Sequence, residues 1–145
     1  MNTAPETNQP QAASGNEATP NRPEGTRPLD APVLLAGLHD YARQLQSEVA
    51  WQTNDRNAIT LVHNEYARVV LIALKDSAEI TSHATDGNTI LQVMGGRVRI
   101  STPDYANTLG EGELIAIRPG VVHAVFAETT AIVLMTMTPG AGGAF

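Results

Sequence analysis

Gly112-Glu113-Leu114-Ile115-Ala116-Ile117-Arg118-Pro119-Gly120-Val121-Val122-His123 is the stretch on which the reading of this chain turns. Leu114–Ile117 is a short apolar run closed by Gly112 before it and Pro119-Gly120 after it, the pattern of a strand between two turns. Gly112 turns the chain into the strand, Pro119-Gly120 form a tight turn, and His123 opens the next strand. A second histidine stands in a related setting upstream. His83-Ala84-Thr85 is followed by Thr89-Ile90-Leu91-Gln92-Val93-Met94-Gly95-Gly96-Arg97-Val98.

Strand signals extend on both sides of these stretches. Ile59–His63 and Tyr66–Leu74 flank Asn64-Glu65, a hairpin turn. Ile80–His83 is short. Thr89–Met94 passes through Gly95-Gly96 into Arg97–Ser101, where Val98 and Ile100 alternate with Arg97, Arg99 and Ser101. That period of two marks a half-buried strand with both arginines pointing away from Val98 and Ile100, onto a solvated surface or a dimer rim. Thr102-Pro103-Asp104 is a turn, and Leu114–Ile117, Val122–Ala127 and Ala131–Thr138 complete the set. Short strands punctuated by Gly, Pro and Asp predict an all-β sandwich or barrel over about residues 58–138.

A helix is predicted over about residues 31–49. Leu34, Leu35, Leu38, Tyr41, Ala42, Leu45 and Val49 recur at three- and four-residue steps, Asp30 is placed to cap, and Pro32 suits the first turn. Helix and barrel together make one domain, residues 29–138. Residues 1–28 mix five prolines with Asn, Thr, Gln, Ala and Gly, and Met1 is their only large apolar residue until the segment ends. Such composition predicts a disordered tail. Residues 139–145 are a flexible finish whose Phe145 is placed to dock.

The chain has 145 residues, a net charge of −6, one lysine (Lys75) and no cysteine. That length holds one domain. An acidic chain without a basic stripe argues against nucleic acid and against anionic lipid as partners. Without cysteine, disulfides, thiolate metal sites and a cysteine nucleophile are excluded. There is no basic patch followed by an apolar run at the N-terminus, and no run approaches about 18 apolar residues, so neither a signal peptide nor a span is expected. The cytoplasm is the expected compartment.

The two histidine stretches resemble the paired motifs of the cupin superfamily. In the second motif Gly112, Gly120 and His123 fall in register, with Arg118 where the family has proline and Pro119 beside it. In the first, His83 and Gly96 match, while Ser77 stands at a glycine, Thr85 at a histidine and Thr89 at a glutamate. The likeness covers about residues 59–138. It is greatest to short single-domain cupins with a helix before the barrel, and it implies a small jelly-roll-like β-barrel that forms a homodimer.

Cupins commonly hold a metal with residues of these two motifs, which here implies His83 and His123. Imidazole suits Fe, Mn, Zn, Cu or Ni. A catalytic centre needs about three protein ligands. Asp86, just after His83, is the nearest candidate for the third, and Glu79 is a poorer one. Alternation places Thr89, Leu91 and Val93 on one face, so that with Thr85 they line an interior pocket for a small organic ligand. His39 reads as a surface residue and His63 as a turn or rim residue. No carboxylate pair, phosphate loop or nucleophile elbow stands out, so catalytic residues are unassigned and no organic cofactor is expected.

Two functional readings follow, with a third held against them. The first is a small-molecule binder, with or without one divalent metal, in a sensor or accessory role. The second is a metal-dependent dioxygenase, isomerase or decarboxylase acting on a small organic acid or phenol. The third is a structural dimer with a vestigial barrel.

Overall fold

Eleven strands, two α-helices and a short 3-10 helix (Ala141–Gly143) are found among the described residues of the computed structural model, which are 15–16, 22 and 27–145. Most of the 1–28 tail lies outside the described residues. The two-residue strands β1 (Gly15–Asn16) and β2 (Arg27–Pro28) pair with each other. Leu29 is buried, and its carbonyl accepts the amide of His63 at 2.9 Å.

That anchor changes the start of the helix. The helix predicted from residue 31 begins seven residues later, as α1 (Leu38–Ser47) with Gly37 at its N-cap, and neither Asp30 nor Pro32 belongs to it. Leu29 is fastened to the end of a strand, so the following segment runs without helix up to Gly37, whose low helix propensity suits a boundary. The far end also differs. Glu48 is extended, and a separate helix α2 (Val49–Thr53) follows it.

The strands form two antiparallel sheets. One contains β3 (Arg56–His63), β4 (Arg68–Leu74), β11 (Ala131–Met137), β6 (Thr89–Gly95) and β9 (Leu114–Ile117), in that order. The other runs β5 (Glu79–His83), β10 (His123–Ala127), β7 (Val98–Thr102) and β8 (Tyr105–Leu109). This is the expected all-β architecture preceded by a helix. Strand ends fall within a few residues of the sequence reading, but β8 was not anticipated. Only Leu109 of its five residues is buried, so it carries no apolar alternation to read.

Alternation gives the five-stranded sheet two apolar faces. The inner face packs Leu74, Leu91, Val93 and Val133 against Val98, Ile100 and Val125 of the other sheet. The outer face presents Ile59, Leu61, Leu71 and Ala73 to Leu45 of α1. This explains why Leu71-Ile72-Ala73-Leu74 is an unbroken apolar run, since both of its faces are covered. At the glycines of the second motif, Gly112 and Gly120 take φ of 86° and 79°, the left-handed turn geometry their places demand. Among the described residues no helix is long and apolar enough to cross a membrane.

Glu48 locks the helices to the sheet. Its carboxylate accepts from Gln44 (3.0 Å), from Asn57 (2.8 Å) and from Arg22 through Nε (3.0 Å) and Nη2 (2.9 Å). Arg22 also donates to the Ala58 carbonyl at 2.8 Å. Burial pushes the Glu48 pKa up, but the three hydrogen-bond donors and the Arg22 charge together outweigh it, and the net shift is downward.

Candidate functional site

All strands of both sheets end in register at one end of the barrel. In the five-stranded sheet His63 pairs with Arg68, Arg68 with Met137, Met137 with Thr89, and Thr89 with Ile117. In the other sheet His83 pairs with His123, and Thr102 with Tyr105. Paired residues share a face, so these rows rim the opening between the sheets. The connections 64–67, 84–88, 103–104 and 118–122 border the same opening.

His83 and His123 meet there, with ring centroids 4.4 Å apart and planes inclined at 54°. Strand β5 carries one ring and β10 the other. Each Nδ1 lies near the carbonyl two residues earlier, Thr81 for His83 (3.0 Å) and Val121 for His123 (2.9 Å). A carbonyl only accepts, so Nδ1 carries the proton on both rings and the neutral form keeps its lone pair on Nε2. His123 is 1% exposed, and its Nε2 is buried without a hydrogen-bond partner.

Thr85 and Thr89 satisfy each other. The Thr85 hydroxyl donates to the Gly87 carbonyl at 3.0 Å, so across the 3.0 Å contact between the two hydroxyls Thr89 is the donor. Thr89 is fully buried. The Thr85 carbonyl accepts the Gly120 amide at 2.9 Å, tying the 84–88 connection to the Pro119-Gly120 turn that delivers His123. Leu91 and Val93 are fully buried in the layer beneath the histidines.

Asp86 is exposed on the 84–88 connection. Glu79 lies at the other end of β5, about 13 Å along the strand from His83. Among the described residues no three His, Cys, Asp or Glu side chains converge to hold a metal ion. His39 is exposed on α1. His63 is an exposed rim residue, 5.8 Å from the ring of Phe145, which packs against the main core.

A pocket of about 330 Å³ opens beside the rim, lined by Thr102, Tyr105, Ile115, Ile117, Arg118 and Val121. The sequence reading named none of these as pocket residues. Tyr105 and Thr102 belong to the hairpin of the unanticipated strand. Ile115 and Ile117 follow from pairing with Leu91 and Thr89, which only the sheet order reveals.

No protein-family model matches the chain, and no curated protein sequence matches it. Solved structures do. A variant of salicylate 1,2-dioxygenase from Pseudoaminobacter salicylatoxidans superposes with a TM-score of 0.67 at 16% identity, over 77% of this chain and 36% of that one. A conserved protein of unknown function from Streptococcus pyogenes gives 0.61 at 18% identity, over 76% and 90%. An RmlC-like cupin from Shewanella frigidimarina gives 0.56 at 22% identity, over 61% and 79%. At these identities the likeness shows the fold, and the fold is that of cupins.

Proposed function

From a cupin fold whose opening holds two facing imidazoles, we propose that this chain binds a small organic ligand between its sheets, with His83 and His123 as the polar contacts. The observation that carries this reading is the buried, unpartnered Nε2 of His123. A buried polar atom without a partner costs about 1–3 kcal/mol, and a bound ligand or ion that meets it recovers that cost. The packed apolar layer below and the apolar pocket beside it suit a ligand with an apolar body.

The metal that cupin relatives often carry fits this arrangement in part. Both rings hold Nδ1–H on a carbonyl, the outer hydrogen bond that orients metal-bound histidines, and both keep Nε2 for an ion. Two imidazoles supply two positions. The ligand and solvent would supply the rest of the shell of Fe, Mn, Zn, Cu or Ni. Such an ion would polarise oxygen atoms of the ligand. With two side-chain ligands instead of three or four, the role is that of a binding module, as in a sensor or accessory protein. A dioxygenase among the neighbours does not extend to activity here, because fold does not fix function.

Elemental analysis by mass spectrometry of the untagged protein, beside His83→Ala and His123→Ala, is the direct test. About one equivalent of metal, lost in both variants, is the result expected if the ion is resident. If the parent takes up no metal from anaerobic additions of the five ions, the apo form of the reading requires that small-molecule binding still depend on His123. Metal or ligand binding unchanged in both variants would sink the proposal.

A further inference from the structure

Arg68 occupies a place where a charge needs a reason. It begins β4 and pairs with Met137 on one side and His63 on the other. Val70, Ile72 and Leu74, the residues two, four and six further along the strand, all pack in the core between the sheets. The period of two therefore puts Arg68 on the inner face, at the rim row that also holds Met137, Thr89 and Ile117. Its Nε is buried and has no hydrogen-bond partner. None of the ion pairs among the described residues involves it.

A third buried orphan nitrogen, Nη2 of Arg27, differs in kind. The guanidinium of Arg27 already donates to the Thr60 carbonyl at 2.8 Å and lies 5.8 Å from the Tyr41 ring centroid. Arg68 has no such compensation. A guanidinium with an unmet buried donor, in an acidic chain that offers fifteen Asp and Glu residues as partners, is poised for an anion from outside. The acidic side chains of the rim connections, Glu65, Asp86 and Asp104, are all exposed.

We infer that Arg68 is the counter-ion of the ligand and that the ligand is a small organic monocarboxylate. This rests on the binding reading above and names its ligand class. The fork formed by Nε and one Nη of a guanidinium matches the two oxygens of a carboxylate. One cation balances one negative charge, whereas a phosphate would bring nearly two. The neighbouring Val70, Met135 and Met137 give the rest of the molecule an apolar wall. His123 Nε2, with its lone pair, accepts a hydrogen bond from a hydroxyl of the ligand.

The test uses the full chain with benzoate and its neutral isostere benzamide, followed by amide chemical shifts in NMR titrations. Benzoate should move the amides of Arg68, Thr89, His123 and Met137 and bind at least about tenfold tighter than benzamide, since a hydrogen bond to a charged group contributes that much. Arg68→Met should erase the preference and Arg68→Lys should keep part of it. The ligand-free Arg68→Met protein should melt no lower than the parent, because the donor it removes, Nε of a half-buried side chain, has no partner to lose. Equal affinity for the two probes, or a preference that survives Arg68→Met, would overturn the assignment of Arg68 while leaving binding at the histidines standing. If neither probe moves the rim amides, the carboxylate assignment falls. The binding reading is then judged by the metal and His123 experiment alone.

Discussion

His83 and His123 are direct cross-strand partners, so the two histidines that lie forty residues apart in sequence are held ring to ring at 4.4 Å by the register of β5 and β10. The pairing is a property of the sheet and not of either loop. Replacing His123 by Phe keeps the ring volume and removes the orphan nitrogen. Stability should stay within about 1.5 kcal/mol of the parent by chemical denaturation. Binding of metal or ligand should be lost. Retention of full binding by His123→Phe would show that Nε2 is not the contact.

Ser77 is the one described non-glycine residue in the left-handed region, with φ of 73°. It stands where the first cupin motif has glycine. The left-handed conformation costs an L-residue about 1–2 kcal/mol, and glycine is free of that penalty. Ser77→Gly should therefore raise stability, by about 1 kcal/mol after glycine's greater unfolded-state entropy is subtracted. Urea titration would check this, and a loss of stability would contradict it.

Gly87 is buried where the 84–88 connection meets the C-terminal segment. A Cβ there would sit 1.7 Å from the Thr138 carbonyl oxygen. Gly87→Ala must push the two segments apart, breaking the 3.1 Å hydrogen bond from the Thr138 amide to the Asn88 carbonyl. A loss of about 2–4 kcal/mol is expected. Because Thr85 donates to the Gly87 carbonyl, binding should weaken along with the melting temperature. A neutral Gly87→Ala would mean that this corner is looser than its contacts imply.

Glu48 supplies a pH dependence whose sign is determined. Its folded-state pKa is below the ordinary glutamate value of 4.5. The folded protein therefore holds the charged form more tightly than the unfolded chain does. Its contribution is full above that ordinary value and is lost as pH falls through the depressed folded value. Glu48→Ala should cost about 3 kcal/mol at neutral pH, because it removes the charged acceptor shared by Arg22, Asn57 and Gln44. Denaturation from pH 7 to pH 3 should show the gap between parent and Glu48→Ala closing on the acid side. A gap constant with pH would rule out ionisation as the source.

A homodimer is expected from the cupin likeness. The edge strands β8 and β9 and the exposed Val33 (85%) and Leu35 (98%) are surfaces such a contact would use. Light scattering at micromolar concentration should give twice the chain mass, and a monomer there would refute the expectation.

Much of the fold was legible because its signals are local. The Pro119-Gly120 turn, the Val98–Ile100 alternation and the apolar stripe of Tyr41, Ala42 and Leu45 each announce their element within a few residues. Strand β8 was not legible, because its polar edge residues carry no pattern. The helix start was missed because the constraint is a long-range one, the Leu29 carbonyl held by His63. At the site, His83 and His123 stand out as histidines beside turns, but their pairing depends on sheet order. Arg68 was invisible as a site residue. It opens the continuous apolar run Val69–Leu74, in which no alternation tells the inner face from the outer.

The ties made by Arg22 and Arg27 alter how this chain should be cut. Composition invites a boundary at residue 28, as though everything before it were expendable leader. A fragment starting at residue 29 would discard the cation seated on Glu48, whose side chain is 8% exposed, and the guanidinium that caps the Thr60 carbonyl. The trimmed protein would carry a buried carboxylate stripped of its counter-charge on the face of the sheet opposite the opening. A shorter, tidier chain would thus be a weaker one, and the low-complexity leader would prove to contain a fastener.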